Sequence, residues 1–462
     1  MSQAHGKKSP LAQLFDLHGW VGWMADWGVS RALFLGVLLI GLLLILGLLI
    51  ENLPTFAFWW IVGTAPLWLP IVLIRGSWHA WIEYIREEHL SKRKSVLLEV
   101  KIPRDIMKSP RAMELVFNSL FRSSGEVTFL MRCWHGSVRP WTSWEIASFG
   151  GEIHFYTWCF EKDRRFIESF IYAQYPEVEI FQVEDYATRF VFDPDKYTCY
   201  VTDYVLDPRS DAYPIKSYID YELDKDPKEE LKVDPMASVL EVLSTIKPSE
   251  QMWVQILVRS TGKDTGHHAL NPGSGKDAWQ KRVEKEINKI RKQSAILPGK
   301  EEDEAENPDE KNYGTSPRPD WKQQEQIKAM QRHLGKVPFD VGMRGIYISE
   351  GSLGDAYNVF RWLWKPYNSP SYFNQLRPKR AHNDFDYPWQ DIRNMRWVNI
   401  TRRYLDAYRQ RSFFYTPYAS EHFVMSPEIL ATLYHYPSRT VQTPGLQRIA
   451  AKKMEPPPNL PR

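Results

Sequence analysis

One stretch of the sequence combines residue types that suit binding chemistry. Between Arg377 and Tyr415, Arg and Lys residues alternate with Trp, Tyr and Phe and face only four Asp. Guanidinium groups and aromatic rings suit single-stranded nucleic acid, because they neutralise phosphates and stack on bases. The candidate contact residues are Arg393, Arg396, Arg402, Arg403, Arg409 and Arg411. A basic face on anionic lipid and an amphipathic helix docked on its neighbour are the alternatives.

A second stretch is superficially similar to a phosphate-binding loop. The segment PGSGKD runs from Pro272 to Asp277. A phosphate-binding loop needs Gly, four residues and then Gly-Lys-Ser/Thr, so that backbone amides surround phosphate and a hydroxyl holds magnesium. Here Leu270 takes the place of the first Gly, and Asp277 replaces the hydroxyl residue with a carboxylate that would repel phosphate. We therefore interpret this segment as a turn.

The remaining candidates for metal binding or catalysis are weak. Cys133 and His135 are close in sequence but lack further paired ligands, and His267 and His268 have no nearby carboxylate or Cys. The three Cys residues include no CxxC pair, which argues against disulfides and a zinc site and favours a reducing compartment. No GxSxG nucleophile motif is present. We expect no catalytic residue, no metal and no cofactor.

Composition sets the scale of the fold. The 462 residues are enough for more than one domain, and the net charge of +3 gives no strong overall field. Aromatic residues make up 14%, including 19 Trp, which fits either a membrane-interface belt or a densely packed α/β core.

Two apolar runs near the N-terminus predict a transmembrane hairpin. Ala32–Ile50 and Phe56–Ile74 are each about as long as a bilayer-spanning helix, and only Glu51–Thr55 separates them. The second run contains Pro66 and Pro70, which membrane helices tolerate. A re-entrant or interfacial segment is the alternative for the second run.

Basic residues set the predicted orientation. Lys7, Lys8 and Arg31 precede the first run, a basic cluster starting at Arg75 follows the second, and the turn between the runs has none. By the positive-inside rule, both termini should be cytoplasmic. Residues 1–31 then form a cytoplasmic or interfacial segment, residues 32–75 the hairpin, and residues 76–94 a juxtamembrane helix.

The first predicted domain, residues 95–225, alternates strand and helix patterns. The order of strand, helix, strands, helix and strand predicts a ferredoxin-like split βαβ unit. Its predicted elements are the strand Ser95–Ile102, a helix from Pro110 to Phe121, strands Val127–Trp134, Ser143–Ser148 and Glu152–Cys159, the helix Arg164–Tyr175, and strands Val178–Val183 and Tyr197–Leu206.

The second predicted domain, residues 226–462, again contains helices and strands. An acidic, Pro-containing stretch at about 296–320 predicts a disordered linker within it. Its predicted elements are helices Pro235–Ile246, Asp277–Gln293 and Trp321–His333, with strands Met252–Val258 and Asp340–Ser349. The predicted fold class is therefore α+β: a transmembrane hairpin followed by ferredoxin-like units, with a duplication suspected.

Several segments resemble the membrane-proximal N-terminal region of HerA/TraG-like type IV secretion coupling ATPases. The resemblance is carried by SWEIASFGGEIHFYTW (143–158), FIESFIYAQYPEVEIFQVEDY (166–186), FVMSPEILATLYHYPS (423–438) and TPGLQRIAAKKMEPPPNLP (443–461). In those proteins a nucleotide-binding core follows this region, whereas this sequence stops at Arg462. The resemblance therefore implies a stand-alone relative of the adaptor part, without motor activity.

The resemblance also marks a possible interface at the YAQYP and VEDY motifs. Its residues are Tyr172, Gln174, Tyr175, Pro176, Glu184, Asp185 and Tyr186. Tyr172 and Tyr175 are expected to flank the end of a helix that Pro176 terminates. Internal packing is the favoured role of these motif residues, and a binding surface is the alternative.

These observations predict a membrane-anchored, non-enzymatic scaffold or adaptor in a secretion or DNA-translocation-like assembly. The alternatives are a membrane-bound nucleic-acid-binding protein and an unrecognised membrane enzyme. The expected partners are membrane lipid and a separate HerA/TraG-like ATPase, with nucleic acid and further copies of the chain as open alternatives.

Overall fold

The structure is a computed structural model, and it describes most of the chain. The described residues are 53–104, 106–122, 128–207, 210–224, 234–262, 276–295, 319–351, 356–368, 374–379 and 391–449, together with Gly36, Gly41 and Gly354. The acidic part of the predicted linker, His267, His268 and most of the PGSGKD segment lie outside these residues.

The described elements alternate between helix and strand. The helices are α1 (Leu53–Ser91), α2 (Pro110–Leu120), α3 (Phe129–Cys133), α4 (Glu161–Gln174), α5 (Tyr186–Arg189), α6 (Pro235–Ser244), α7 (Lys276–Ala295), α8 (Trp321–Leu334), α9 (Ala356–Leu363), α10 (Met395–Arg409) and α11 (Pro427–Leu433). The strands are β1 (Ser95–Lys101), β2 (Trp141–Phe149), β3 (Glu152–Phe160), β4 (Glu179–Val183), β5 (Tyr197–Asp207), β6 (Glu250–Ser260), β7 (Phe339–Glu350), β8 (Gln375–Pro378) and β9 (Phe423–Met425).

All nine described strands belong to one antiparallel sheet. Eight of them lie in the order β4-β1-β3-β2-β6-β7-β5-β8, and β9 pairs with the first residues of β7. The two halves of the chain join edge to edge through β2 and β6, which pair along nine positions from Trp141↔Arg259 to Phe149↔Gln251.

The two halves use the same connectivity. In the first, β1, α2, β2, β3, α4 and β4 follow one another, and the strands lie in the order β4-β1-β3-β2. In the second, β5, α6, β6, β7, α9 and β8 give the order β8-β5-β7-β6, and α7 and α8 are inserted between β6 and β7. Across the sheet, the strand order of the second half is therefore the reverse of the equivalent strand order of the first half.

Helices cover both faces of the sheet. One apolar core forms where α2, α4, α6, α9 and α11 pack on the first face. A second core forms on the opposite face under α5 and α10. We call this second face the α10 face, because α10 and the turn after it cover its central strands.

Most local elements follow from the sequence pattern. Asp234 caps α6 through a bond from the Met236 amide, and Pro235 occupies the first helical position. One strand prediction is wrong: Val127–Trp134 contains the helix α3 instead. The Thr128 hydroxyl accepts a bond from the Met131 amide, and this cap favours a helical turn over an extended strand.

The predicted transmembrane hairpin is also wrong. Among the described residues, no helix combines the length and the apolar character that crossing a membrane requires. The first predicted span, Ala32–Ile50, lies outside the described residues apart from two glycines. The predicted location, a two-span membrane protein with both termini in the cytoplasm, is corrected on the same finding.

The second predicted span illustrates the physical reason. Phe56–Ile74 is not a separate helix, because α1 begins at Leu53, inside the predicted turn, and continues for 39 residues to Ser91. The apolar part of α1 contains Pro66 and Pro70. The segment of α1 that follows is charged, and some of its residues are partly buried. The length of the apolar run alone therefore does not show that the run is part of one longer helix.

The predicted fold class is therefore wrong as stated. It placed a membrane hairpin before separate α/β units, whereas the described strands form one continuous antiparallel sheet with helices on both faces.

Candidate functional site

A row of polar side chains crosses the α10 face of the sheet. Its members are direct register partners on six neighbouring strands, so their side chains share one face. We call it the polar row, and it consists of Glu99, Tyr156, Glu145, Gln255, Arg344 and Asp203. The row starts half-buried at Glu99 and is almost fully buried from Tyr156 to Asp203.

Arg411 caps the centre of this row from above. It follows the end of α10, and its guanidinium is 0% exposed. The Nε atom donates to Glu145 Oε1 over 3.0 Å, and Nη2 donates to Glu145 Oε2 over 3.1 Å. Nη1 and Nη2 also donate to the two carboxylate oxygens of Asp185. A planar guanidinium can bind two carboxylates in this way, whereas an ammonium group cannot.

Two tyrosines and a glutamine complete the ion-pair network. The Tyr186 hydroxyl donates to Glu145 Oε2 over 2.8 Å and lies 2.7 Å from the Tyr408 hydroxyl. Gln255 Nε2 donates to Glu145 Oε1 over 3.0 Å and to the Tyr408 carbonyl over 3.2 Å. This ion-pair network therefore ties β2, β6, α5 and α10 together.

The network fixes the protonation of its members. Burial alone would raise the pKa of Glu145, but the Arg411 guanidinium and the hydrogen bonds hold that pKa below its usual range. Burial lowers the pKa of Arg411, yet Glu145 and Asp185 outweigh it and raise that pKa. Burial and the Glu145 charge raise the pKa values of Tyr186 and Tyr408 well above 10. At neutral pH these groups are a fixed arrangement of charges and protonated hydroxyls.

The turn after α10 makes further contacts with the same face. Arg344 donates to Asp203 over 2.8 Å and to the Ser412 carbonyl over 3.2 Å. Arg259 pairs with Asp340 over 2.7 Å, and its guanidinium lies 4.2 Å from the centre of the Phe414 ring. Arg259 of β6 and Arg344 of β7 therefore fix this turn against the sheet.

At its exposed end, the polar row opens into a cleft of about 860 Å³. The floor is the α10 face of the sheet, and α5 with the residues after it forms one wall. We call it the edge cleft, and it is lined by Glu99, Phe149, His154, Tyr156, Val183, Glu184, Tyr186, Arg189, Phe190, Val191, Tyr197 and Gln251. The cleft adjoins β4, the strand at the edge of the sheet.

Aromatic rings and charged side chains give the edge cleft its chemical character. Its floor is aromatic: the Tyr156 ring stacks on Tyr186 at 4.9 Å and on His154 at 5.9 Å. Glu99 accepts from His154 Nδ1 over 2.8 Å, and this bond outweighs burial and lowers the pKa of Glu99. Glu184 forms an exposed pair with Arg189.

The structure separates the six candidate arginines into two groups. Arg411 is in the network, Arg409 donates to the carbonyls of Ala187 and Phe190, and Arg396 is buried. Arg393, Arg402 and Arg403 are exposed. Arg402 lines a second groove of about 400 Å³, together with Thr188, Phe190, Val191, Phe192, Leu405, Asp406 and Arg409.

The motif residues are likewise divided. Asp185 and Tyr186 belong to the ion-pair network, and Glu184 and Tyr186 line the edge cleft. Tyr175 is buried, and its ring lies 5.0 Å from that of Tyr436. The other three lie at the end of α4, where Tyr172 and Pro176 are exposed and Gln174 is half-buried.

None of the six residues of the polar row was singled out from the sequence. Glu145, Gln255 and Arg344 each lie inside a strand whose other buried residues are mainly apolar. A charged residue at an inward-facing strand position is the signal that indicates a buried partner. The partner itself cannot be read from the sequence.

The described residues give little support for a metal site or for a reactive cysteine. There, no group of three or more His, Cys, Asp or Glu side chains is arranged to hold a metal ion. Cys133, Cys159 and Cys199 are buried thiols, and burial raises the pKa values of Cys159 and Cys199 to about 12.

Comparison with known proteins places the chain in a family. No curated protein and no solved structure matches it. A family model described as "Domain of unknown function (DUF8128)" matches residues 79–448, which include both halves of the sheet and every residue of the polar row. Because that match covers well over half of the 462 residues, this chain belongs to the DUF8128 family.

Proposed function

We propose that this protein is a non-enzymatic scaffold or adaptor that binds another protein in a secretion or DNA-translocation-like assembly. The observation that supports this is the complete internal pairing of Arg411 with Glu145 and Asp185. A catalytic acid or base needs a pKa near the working pH, whereas the pKa of Glu145 is held below its usual range and the pKa of Arg411 is raised, so that both stay charged at neutral pH. The network therefore suits a rigid support for a binding surface.

The resemblance of the sequence to HerA/TraG-like ATPases suggests the kind of partner. An adaptor similar to their N-terminal region would act beside a separate ATPase of that type. The motif residues Asp185 and Tyr186 then have a positioning role, because they hold α5 in place beside the edge cleft.

Crosslinking in native cells, followed by affinity purification and mass spectrometry, tests this proposal. We expect an ATPase of this type, or another secretion component, among the crosslinked proteins and absent from a tag-only control. Recovery of the protein alone, or only with further copies of itself, would contradict the proposed adaptor function.

Single-stranded nucleic acid is a second candidate partner. It is favoured by the groove in which exposed Arg402 lies beside Phe190 and Phe192, since a cation beside aromatic rings suits phosphates and bases. Asp406 in the same groove opposes it.

A labelled oligothymidine titrated at several salt concentrations tests this candidate. Binding should weaken steeply with salt. It should also weaken in an Arg402→Ala/Arg403→Ala variant but not in a Lys281→Ala/Lys285→Ala control. Equal binding by the two variants would rule out the groove.

A further inference from the structure

We propose that α7 is an acid-released cover, which separates from α8 when His333 is protonated while the sheet stays folded. This inference goes beyond the proposed function, because it concerns how the fold responds to pH and does not depend on the adaptor role. Three features support it: the surroundings of His333, the contacts that attach α7 and the ion pairs that attach α8.

The first feature is a buried histidine that has no polar partner. His333 is 3% exposed, and neither of its ring nitrogens has a hydrogen-bond partner among the described residues. A neutral imidazole has one donor and one acceptor nitrogen, and leaving both unpaired inside a protein costs free energy. Protonation adds a charge that a buried, unpaired site cannot solvate. The protonated ring is therefore stable only where water reaches it.

Trp279 of α7 packs against this histidine. The centres of the two rings lie 5.1 Å apart at an angle of 86°, and Trp279 is 0% exposed. Trp279 belongs to a small apolar cluster that is separate from the two cores on the sheet and consists of Ala212, Trp279, Val283, Ile287, Ile290, Ile327, Met330 and Val424. His333 thus lies where α7 meets α8, and separation of the two helices gives water access to its ring.

The second feature is the attachment of α7, which combines this apolar cluster with polar contacts to the segment 211–213. Trp279 Nε1 donates to the Asp211 carbonyl over 3.2 Å, and the Tyr213 hydroxyl donates to Glu286 over 3.0 Å. Arg282 pairs with the Asp211 carboxylate over 3.0 Å, but its side chain is 39% exposed. Ion pairs at such exposed positions contribute little to stability.

The third feature is the firmer attachment of α8. Arg332 pairs with Asp220 over 2.9 Å and with Glu428 over 3.0 Å. Lys336, two residues beyond the end of α8, pairs with Glu114 over 2.6 Å and with Glu428 over 2.8 Å. These pairs join the end of α8 to α2, to α11 and to the turn at Asp220, and breaking a buried pair is strongly destabilising. Separation of α7 therefore costs less than separation of α8.

The charges around His333 oppose its protonation in the closed state. Burial, Lys336 and Arg332 lower its pKa to about 3. The carboxylates on the elements around it already have partners, and they are Glu114, Asp220 and Glu428 beside the two cations and Asp211 and Glu286 beside α7. Once α7 separates, the pKa returns toward about 6.5, so acid shifts the equilibrium toward separation.

Hydrogen–deuterium exchange of the full chain, followed by mass spectrometry, tests the proposal. Protection factors, corrected for the intrinsic exchange rate, report how often each element opens. We expect the protection of α7 amides to fall about tenfold between pH 7.5 and pH 5.5, as the pKa of about 6.5 in the open state requires. At both pH values β2 amides should be better protected than α7 amides, because the sheet stays folded when α7 separates.

Matched variants separate the pH response from the attachment of α7. His333→Leu should reduce the tenfold fall to less than about twofold, whereas His79→Gln, at an exposed position on α1, should keep it. Arg282→Ala should lower the protection of α7 by up to about fivefold at both pH values and leave the tenfold fall unchanged. Arg361→Ala, at an exposed position on α9, should change neither. Circular dichroism of each variant verifies that the fold is kept.

Three outcomes would overturn the acid-released cover. Equal protection of α7 and β2 amides at both pH values would show that α7 opens only when the whole protein unfolds. Protection of α7 that does not change between pH 7.5 and pH 5.5 would show that protonation does not open it. The same fall in wild type and in His333→Leu would assign the pH response to another group.

Discussion

Arg411 and Asp185 are 226 positions apart in the sequence and form an ion pair on the α10 face of the sheet, in which both carboxylate oxygens of Asp185 accept hydrogen bonds from the guanidinium. Asp185 also caps α5 through the Ala187 amide, so the same carboxylate orders a helix and receives the arginine. The two sequence segments that contain the motif residues and the candidate arginines therefore meet at one buried point.

Arg411→Met should lower the free energy of unfolding by about 3–5 kcal/mol, because it leaves Glu145 buried without its cation. Arg402→Met, an exposed residue on α10, should change it by less than about 0.5 kcal/mol. Urea unfolding followed by circular dichroism measures both. Similar losses in the two variants would show that the ion-pair network contributes little.

Tyr186→Phe removes the hydroxyl that donates to Glu145 and leaves the carboxylate with one bond fewer. The expected loss is about 1–3 kcal/mol. Tyr172→Phe serves as the control, because that ring is 39% exposed. The measurement is the urea midpoint of each variant, and an unchanged midpoint for Tyr186→Phe would contradict the prediction.

His333 should make the protein less stable in acid. Its ring is buried with neither nitrogen hydrogen-bonded among the described residues, and burial, aided by Lys336 and Arg332, lowers its pKa to about 3. Between that value and about 6.5 the unfolded chain binds a proton that the folded protein does not. Stability should therefore fall as the pH decreases through this range, at up to about 1.4 kcal/mol per pH unit.

Urea unfolding between pH 7 and pH 4.5 measures this effect. His333→Leu should reduce the dependence on pH, whereas His79→Gln, at an exposed position on α1, should keep it. Part of the dependence should remain in His333→Leu, because burial also lowers the pKa of His422. An identical slope in wild type and His333→Leu would show that His333 is not the group responsible.

Gly342 on β7 should not tolerate a side chain, because the Phe413 ring occupies the space where its Cβ would lie. Gly342→Ala should cost about 1–3 kcal/mol through overpacking. Gly76→Ala in α1 meets no atom within 4 Å and should raise stability by about 0.5–1 kcal/mol, as alanine does in helices. Thermal unfolding of the two variants should shift in opposite directions, and a shift in the same direction would contradict this account.

The three thiols should react slowly in the native protein, because all are buried and burial raises the pKa values of Cys159 and Cys199 to about 12. A thiolate is the reactive form. Titration with Ellman's reagent should detect all three only in denaturant. Rapid reaction of Cys159 or Cys199 under native conditions would show that the surrounding core opens easily.

The helices and strands of this fold could be predicted where the periodicity of the apolar residues and a capping or terminating residue indicate the same element. The strand pattern from Asp340 to Ser349 corresponds to β7, and the helix predicted from Trp321 to His333 corresponds to α8, whose cap is Asp320. Prediction failed for α3, where a side-chain cap outweighed the apolar pattern. It also failed for the apolar runs near the N-terminus, which were interpreted as a membrane hairpin.

The candidate site could be predicted only in part. Composition singled out Arg411 as a candidate contact for nucleic acid or lipid, and resemblance singled out Asp185 as a packing or interface residue. Neither predicted that the two residues pair with each other, as they do in the structure. Strand register decides such pairs, and register depends on contacts between distant segments. For the same reason the partner of Glu145 could not be identified, because nothing in the sequence of β2 indicates an arginine 266 positions away.

The polar row limits how this sequence can vary over evolution. Six side chains on six strands stay in line only while each strand keeps its register. Inserting or deleting one residue within β2 or β6 would turn every following side chain of that strand to the opposite face. Lineages that retain this sheet should therefore accumulate substitutions within these strands and gain or lose residues only in the connections between them.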